Sequence, residues 1–249
     1  MKLFISVINH NHDQIIVSNP TLQQLATKHH VILKSNTPAS QELTDYCFKN
    51  NITLLQGKSV KGFGANNNEV YNYARTKLEM KDEDFFLVLN PDVEITLESV
   101  NKLISEVMLL STDIASINLY KDKNLTIYDN SIRHYPKLFS PIKTLLGIKR
   151  SDIFDKSVID KPIRIDWAAG SFLLFKSACY QNLNGFDEKY FMYFEDADIC
   201  TRANKNGFNV FYIPSIKAIH YASHQNRRIF SKHFIWYWKS SLLYQFNFY

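Results

Sequence analysis

FFLVLNPDVEI, from Phe85 to Ile95, is the stretch that decides the fold and points to a site. Its first five residues are apolar and predict a fully buried strand, which the turn residues Asn90 and Pro91 end. Asp92 follows directly on the carboxyl end of that strand, where open α/β sheets bind their ligands. Asp92 is therefore a candidate site residue, although Pro followed by Asp is also common in ordinary turns.

Three further β-type runs precede this strand: LFISVI (3–8), HVILKS (30–35) and ITLLQ (52–56). Helical or polar segments separate them, and this alternation is typical of βαβ units with a mostly parallel sheet. After the fourth strand we expect an amphipathic helix with Thr96 as its N-cap. Its apolar face would hold Leu97, Val100, Leu103, Ile104 and Val107. The predicted fold class is α/β, with a central sheet flanked by helices and a helical C-terminal tail.

Composition narrows the possible functions. The chain has 249 residues, 45% of them hydrophobic, which is enough for one sizeable core, so we expect a single domain over residues 1–249. A formal net charge of +5 favours anionic ligands but is too small to indicate nucleic-acid binding. Three cysteines without a CxxC spacing indicate neither a disulfide framework nor a zinc site. No run approaches the roughly 18 apolar residues of a membrane-spanning helix, so we expect a cytoplasmic protein, attached to a membrane at most by its surface.

Residues 57–74, GKSVKGFGANNNEVYNYA, predict a glycine-containing loop followed by a helix that begins near Ala65. Gly62 and Gly64 would allow close backbone approach, and the N-terminal amides of helices bind phosphate well. The same glycines also fit an ordinary tight loop, because the segment matches neither a P-loop nor a dinucleotide fingerprint.

Residues 165–214 carry a second cluster of candidates. A small-residue turn leads a strand, and an aromatic segment, YFMYF, delivers Glu195 and Asp196 to the start of a helix. The aromatic surroundings indicate a partly desolvated Asp196, which would raise its proton affinity and suit a general base. Asp198 is better explained by an ion pair with Arg202, one helical turn later.

Together, FFLVLNPDV, residues 167–208 and AIHYASH (218–224) resemble glycosyltransferase family 2, the inverting enzymes of the GT-A fold. The LNPDV form and the Gly-Phe-Gly-x-Asn-Asn loop resemble the branch that transfers rhamnose from dTDP-rhamnose in bacterial O-antigen or other cell-surface polysaccharide synthesis. The resemblance implies a nucleotide-sugar-binding half at 1–115, an acceptor and catalytic half at 116–225, and a helical tail at 226–249.

The resemblance gives Asp92 a role. In this family the turn after the fourth strand holds a D-x-D motif, whose last carboxylate binds Mg²⁺ or Mn²⁺ bridging the donor diphosphate, and Asp92 matches that position. A divalent ion there stabilises the charge of the leaving group. Asn90 stands at the first Asp, which removes one negative ligand. His220 matches the family's late histidine, which can complete the metal site.

The resemblance also implies roles for other residues. Asp196 matches the Asp of the family's Glu-Asp motif and would be the general base, with Glu195 as its rival. Ser35 and Asn36 stand where family members carry an Asp that reads the base, so the sequence does not identify the nucleotide. The expected donor-binding residues are Asn9, Asn11, Ser35, Asn36, Gly62, Gly64, Asn67, Asn90 and Asp92, and the acceptor-side residues are Trp167, Gly170 and Ser171.

The expected reaction is the inverting transfer of a sugar to a polyprenyl-diphosphate-linked saccharide. The first candidate for the sugar is L-rhamnose, with dTDP-rhamnose as its donor. The tail after residue 224 mixes Arg227, Arg228 and Lys232 with aromatic residues such as Phe230. It fits either a helix packed on the catalytic domain or interfacial docking. A lipid-linked acceptor favours docking, at the inner face of the cytoplasmic membrane.

Three alternatives remain at this point. Another donor, such as a galactofuranose or deoxysugar nucleotide, would fit the same motifs. A sugar-nucleotide pyrophosphorylase would carry a glycine-rich basic loop after the first strand, and INHNHDQ (8–14) has no glycine. A non-catalytic GT-A binding subunit is consistent with the departures at Asn90 and Ser35.

Overall fold

The structure is a computed structural model that describes residues 1–136, 152–221 and 232–248. It consists of a central β-sheet with helices on both faces. The strands are β1 Leu3–Asn9, β2 His30–Ser35, β3 Thr53–Gln56, β4 Phe85–Leu89, β5 Val93–Glu94, β6 Ile114–Tyr120, β7 Ile132–Arg133, β8 Ile163–Arg164, β9 Trp167–Ala168, β10 Phe172–Lys176 and β11 Val210–His220. The sheet order is β3-β2-β1-β4-β10-β6-β11-β5, with β8 paired to β11, and β7 pairs separately with β9.

The helices are α1 Asp13–Ser18, α2 Pro20–Ala26, α3 Gln41–Lys49, α4 Phe63–Lys77, α5 Leu97–Leu109, α6 Ser177–Asn182, α7 Glu195–Lys205 and α8 Lys232–Phe248. In α5, the side chain of Thr96 accepts a hydrogen bond from the Ser99 amide (3.2 Å), so the predicted N-cap is confirmed. Helix α4 begins at Phe63, two residues before the predicted start.

The first four strands are parallel, as predicted, but the second half of the sheet is mixed. Strand β10 runs antiparallel between β4 and β6, with Phe172 opposite Leu89. The start of β10 therefore lies beside the end of β4. This direction carries the small-residue turn at 168–171 to the edge of the sheet that holds Asp92.

Apolar side chains fill both faces of the sheet, because its central strands are covered on each side. In β1, Phe4 and Ile8 join one core while Leu3, Ile5 and Val7 join the other. The first core includes residues of α4, α6, α7 and α8, and the second includes residues of α1, α2, α3 and α5. The two layers fix the edge at which the candidate residues meet.

Helix α8 packs against the catalytic half through one of its faces. Tyr244 is 1% exposed, and its hydroxyl lies 2.7 Å from that of Thr201 in α7. The rings of Trp236 and Phe191 are 4.6 Å apart. The packed-helix reading of the tail is thus correct for this face, whereas the predicted basic and aromatic residues Arg227, Arg228 and Phe230 lie outside the described residues.

The opposite face of α8 is open to solvent, where Ile235, Leu242 and Phe246 are 49%, 53% and 86% exposed. Across the part of the chain that the structure describes, no helix combines the length and apolarity needed to cross a bilayer.

Candidate active site

The turn after β4 brings Asp92 against His220 at the end of β11. Val93 pairs with His220 in an antiparallel β5–β11 contact, and the Tyr221 amide donates to the Asp92 carbonyl (3.1 Å). Asp92 Oδ1 consequently lies 3.5 Å from His220 Nε2. Two residues that are 128 positions apart by their numbers are neighbours because two short strands pair.

His220 is held on its other side by Asp129. Its Nδ1 lies 2.8 Å from Asp129 Oδ2, and both side chains are little exposed. Burial alone would lower the pKa of His220, but the bond to Asp129, the contact with Asp92 and both negative charges raise that pKa to about 9. Each ring nitrogen of His220 therefore lies close to a carboxylate.

Asp92 Oδ1 is buried and has no hydrogen-bond partner among the described residues. A buried, unpaired carboxylate oxygen is costly unless something else neutralises it. A carboxylate oxygen and an imidazole nitrogen that face one point suit a divalent cation. Within the described ranges, no group of three or more His, Cys, Asp or Glu side chains surrounds such a point. The protein thus offers two ligands here, Asp92 and His220.

Helix α7 begins at the Glu195-Asp196 pair, after two residues in left-handed conformation. Tyr193 and Phe194 have φ angles of 70° and 66°, which are uncommon for large side chains. Packing holds them there, because the Phe194 ring lies 5.3 Å from that of Tyr237 in α8. The strained turn sets the direction in which the two carboxyl groups leave the helix.

Asp196 is held by backbone amides on both of its oxygens. Gly170 N donates to Oδ2 (3.0 Å) and Ala197 N donates to Oδ1 (2.8 Å). Burial raises the pKa of Asp196, while these amides and the charge of Arg133 oppose the rise. Asp196 as a whole residue is half-buried.

Glu195 has a different environment. It is 6% exposed, and its Oε2 has no hydrogen-bond partner in the described part of the chain. Burial, followed by the neighbouring charge of Asp196, raises the pKa of Glu195 well above its ordinary value. Burial thus raises the pKa of both carboxyl groups, and Asp196 is the one held by backbone amides on both of its oxygens.

The turn at residues 170–171 joins the two carboxylate regions. Asn90 N donates to the Ser171 carbonyl (3.0 Å), and the preceding residue, Gly170, donates to Asp196. A Cβ on Gly170 would lie 3.0 Å from the Phe63 ring and 3.8 Å from the Cβ of Asp196. Ser171 Oγ is buried and, within the described chain, unpaired. The Asp92 turn and Asp196 are therefore both bonded to this one turn at the edge of the sheet.

Most of the predicted donor-binding residues at the ends of β1 and β2 form hydrogen bonds within the protein. Asn9 is fully buried, and its Nδ2 donates to the Ser35 hydroxyl (2.8 Å). Asn36 exchanges two 2.9 Å hydrogen bonds with the backbone of Lys61 and so clips the 57–61 loop in place. Asn11 differs, because its side chain is exposed and its φ angle is 58°. The donor-binding roles of these residues stay predictions.

The glycines of the loop before α4 are required by protein packing. A Cβ on Gly62 would lie 2.5 Å from the Phe191 carbonyl oxygen, and one on Gly64 would lie 2.7 Å from the Phe186 side chain. The first amide of α4, Phe63 N, donates to the same Phe191 carbonyl (3.0 Å). This amide is consequently engaged within the protein, and the donor-binding role of Gly62 and Gly64 stays a prediction.

Asn67 also has an internal partner at each end of its amide. It is fully buried, accepts from the Ser6 hydroxyl (2.6 Å) and donates to the Phe63 carbonyl (3.0 Å). Asn67 ties α4 to β1, and its side chain does not reach the surface in this structure. Trp167, predicted on the acceptor side, is 6% exposed and donates to the His134 carbonyl (2.9 Å).

Three residues near the site have no motif that would identify them from the sequence. Asp129 contacts His220, and Arg133 lies over the Trp167 ring (5.2 Å) while its charge lowers the pKa of Asp196. Burial lowers the pKa of His12, and the opposing charge of Asp92 shows that the two are close. What the three residues share is their position in the fold: each lies near Asp92, Asp196 or His220.

Relatives identify the family. The chain is 33% identical to rhamnosyltransferase WbbL of Escherichia coli over 97% of this chain and 92% of that protein. It is 28% identical to an N-acetylglucosaminyl-diphospho-decaprenol L-rhamnosyltransferase of Mycobacterium tuberculosis over 65% of this chain and 55% of that protein. Residues 156–226 match a family model described as the N-terminal domain of galactosyltransferase.

Solved structures show the same fold at low identity. GalNAc-T7 with UDP, GalNAc and Mn²⁺ superposes with a TM-score of 0.64 at 11% identity, over 94% of this chain and 47% of that chain. Staphylococcus aureus TarS with UDP-GlcNAc gives 0.60 at 14% identity, over 94% and 61%. This chain thus spans less than two thirds of each of these larger proteins. By its relationship to WbbL over nearly its whole length, the chain belongs to glycosyltransferase family 2 and is a hexosyltransferase of the GT-A fold.

Proposed function

We propose that the chain is an inverting rhamnosyltransferase that moves L-rhamnose from dTDP-rhamnose to a polyprenyl-diphosphate-linked saccharide, in bacterial O-antigen or other surface polysaccharide synthesis. The names of the two rhamnosyltransferase relatives support the sugar, and that of the mycobacterial relative supports a lipid-linked acceptor. The observation that carries the chemistry is the 170–171 turn, which joins Asp196 to the Asp92 turn. We take residues 1–249 as one catalytic domain.

Asp196 is the general base in this proposal. Inversion requires an acceptor hydroxyl to attack the anomeric carbon from the face opposite the diphosphate, and the hydroxyl proton must leave as the new bond forms. Each Asp196 oxygen accepts one backbone N–H and keeps a further lone pair for that proton. The bond to the acceptor oxygen forms, the bond to the diphosphate oxygen breaks, and Asp196 holds the proton. Glu195, whose Oε2 accepts no hydrogen bond in the described part of the chain, is the alternative base.

Asp92 Oδ1 and His220 Nε2 are the residues that would hold a divalent ion, Mg²⁺ or Mn²⁺. When bound, the ion supplies charge stabilisation for the departing diphosphate. Support comes from the unpaired Asp92 oxygen and from the Mn²⁺ in the GalNAc-T7 structure of the same fold. Asn90 adds hydrogen bonding beside this site without adding negative charge.

The donor nucleotide is assigned to the ends of β1 and β2, where Asn11 is exposed and His12 Nδ1 has no hydrogen-bond partner among the described residues. Asn9, Ser35 and Asn36 shape this end from inside. The remaining predicted donor residues are Gly62, Gly64 and Asn67. In this assignment they support the nucleotide site by packing and do not contact the nucleotide. On the acceptor side we place Trp167, Gly170 and Ser171.

The exposed face of α8 is proposed to rest on the inner surface of the cytoplasmic membrane. Ile235, Leu242 and Phe246 recur along one face of the helix, with Lys239 between them. Apolar side chains flanked by a cation suit the boundary of an anionic bilayer. Such a position would bring the site to a lipid-linked acceptor.

A donor screen tests the function. The purified chain is incubated with Mg²⁺ or Mn²⁺, a synthetic N-acetylglucosaminyl-diphospho-polyprenol and, in turn, dTDP-rhamnose, a UDP-galactofuranose and other deoxysugar nucleotides. We expect transfer from dTDP-rhamnose only, with inversion at the anomeric carbon, and loss of transfer in EDTA. Transfer from a different donor would correct the sugar. Donor binding without transfer or hydrolysis would indicate a non-catalytic subunit, and formation of a nucleoside triphosphate from pyrophosphate would indicate a pyrophosphorylase.

A further inference from the structure

His220 has two nitrogens, and the structure gives each a different neighbour. Nδ1 lies 2.8 Å from Asp129 Oδ2, within hydrogen-bond distance, while Nε2 lies 3.5 Å from Asp92 Oδ1. We propose that Asp129 is the positioning residue of the site, which binds the Nδ1 proton of His220 and so turns the lone pair of Nε2 toward the cation held by Asp92. This inference rests on the proposed divalent site.

The chemistry of imidazole makes the orientation matter. A neutral histidine has one N–H and one lone pair, and the hydrogen bond made by one nitrogen decides which form is present. A carboxylate on Nδ1 fixes the proton there and also raises the basicity of Nε2 toward a metal. Without Asp129 the ring could carry its proton on Nε2, and that nitrogen would then be unable to bind a cation.

The backbone around Asp129 is fixed in place. Its amide donates to the Leu119 carbonyl (2.9 Å), and the preceding residue, Tyr128, forms a β-bridge with Tyr120. Tyr120 in turn pairs with Ile219, the neighbour of His220 in β11. Asp129 and His220 therefore sit on segments locked to the same strand, β6, which limits how far their side chains can separate.

A buried lysine supports the charged form of Asp129. Lys156 is 4% exposed, and its ammonium donates to the Ser131 hydroxyl (2.8 Å) and the Leu119 carbonyl (3.4 Å), which flank Asp129 in the fold. The Lys156 ammonium thus places a positive charge beside the segment that carries Asp129. Asp129 is thus an acceptor, as the orientation requires.

The experiment measures Mn²⁺ binding directly, apart from activity. Wild type, Asp129→Ala, Asp129→Asn and His220→Ala are titrated with Mn²⁺ in the presence of dTDP, and separately of UDP, with free Mn²⁺ followed by electron paramagnetic resonance. We expect Asp129→Ala to weaken Mn²⁺ binding roughly 100-fold and Asp129→Asn roughly 10-fold, the range found for residues that orient metal ligands. Asn keeps an oxygen for the Nδ1 proton but lacks the charge, so its effect is the smaller.

Asp122→Ala is the matched control. Asp122 belongs to the same loop, is half-buried, and accepts hydrogen bonds from the Thr126 and Ile127 amides (2.7 to 3.2 Å) without contacting His220. Its loss loosens the loop but leaves the imidazole alone, so we expect Mn²⁺ affinity within about twofold of wild type. An equal loss in Asp122→Ala and Asp129→Ala would mean that loop order, and not His220 orientation, governs binding, and would overturn the inference.

The remaining outcomes separate this inference from the proposed site. Wild-type affinity in Asp129→Ala, together with loss in His220→Ala, would overturn the role of Asp129 and leave the metal site standing. Equal affinity in wild type and His220→Ala would show that the proposed site itself is wrong. If Asp129→Ala does not fold, the nearly isosteric Asp129→Asn decides: a loss of about tenfold supports the inference and unchanged affinity refutes it.

Discussion

Asp92 and Asp196 are two carboxylates at one edge of the sheet, and they differ in the hydrogen bonds that their oxygens accept. Asp92 Oδ1 is buried without a hydrogen-bond partner in the described chain, facing His220 at 3.5 Å. Asp196 accepts a backbone N–H on each oxygen, at 2.8 and 3.0 Å. An oxygen left unpaired can receive a cation, whereas a carboxylate held by rigid amides keeps its direction as its charge changes. This difference supports the proposed roles, Asp92 as a cation ligand and Asp196 as the general base.

Replacing the base should give the largest effect. Asp196→Asn is expected to lower the transfer rate by roughly 10² to 10⁴, the usual contribution of a positioned base, with donor affinity nearly unchanged. Asn can accept only one of the two backbone N–H groups, so a modest fall in Tm should accompany the loss. Single-turnover transfer and donor calorimetry measure the two quantities. Near-normal transfer by Asp196→Asn, with Glu195→Gln inactive, would move the base role to Glu195.

Removing the unpaired carboxylate should act on binding instead. Asp92→Ala is expected to lose the increase in donor affinity that Mg²⁺ or Mn²⁺ gives, a loss of at least about 10-fold if the ion has one protein ligand fewer. Titration calorimetry of donor, with and without the ion, measures it. Asn90→Asp is a useful companion, since it adds a negative ligand and should tighten the ion. Equal donor affinity in wild type and Asp92→Ala under both conditions would exclude the metal role.

Local patterns predicted the elements and much of their capping. The four strands of the first half, the Thr96 cap and the Asp198–Arg202 pair (2.7 Å) all depend on residues close in sequence. The place of Asp92 at the end of a buried strand could also be read, because one strand and one turn determine it. Sequence alone therefore sufficed for the fold class and for the positions of the candidate carboxylates.

Contacts between distant segments could not be read in the same way. The Gly62 and Gly64 positions are dictated by Phe191 and Phe186, which lie in another part of the chain. Asp129 is 91 residues from His220 and stands in a polar stretch that carries no motif. Such partners depend on which strands pair, and the antiparallel entry of β10 shows that this pairing is not given by strand patterns alone.

The buried neighbour of the base gives a smaller effect, on stability. The pKa of Glu195 is raised in the folded state by burial, so the folded chain binds its proton more tightly than the unfolded chain does. The stability of the wild type then falls as pH rises above the ordinary glutamate pKa of about 4.3. Glu195→Gln cannot ionise, and we expect it to raise Tm by a few degrees at pH 8 and hardly at pH 5. Calorimetric scans at the two pH values measure the difference, and a Tm gain that is larger at pH 5 would refute the raised pKa of Glu195.

The smallest effect concerns the exposed face of α8. Deleting α8 would expose the residues that it covers, because Tyr244 is 1% exposed and its hydroxyl is bonded to that of Thr201. Single substitutions on the outer face of α8 are therefore the sharper test. Leu242→Gln and Phe246→Gln should each weaken binding to vesicles containing anionic lipid severalfold, while transfer to a short water-soluble acceptor stays unchanged. Phe48→Gln is the control, since Phe48 is 91% exposed on α3, in the layer on the other side of the sheet. Co-sedimentation with anionic and with neutral vesicles measures the difference. Equal losses from Phe48→Gln and Phe246→Gln would mean that exposed aromatic rings bind vesicles wherever they lie, and would remove α8 as the docking face.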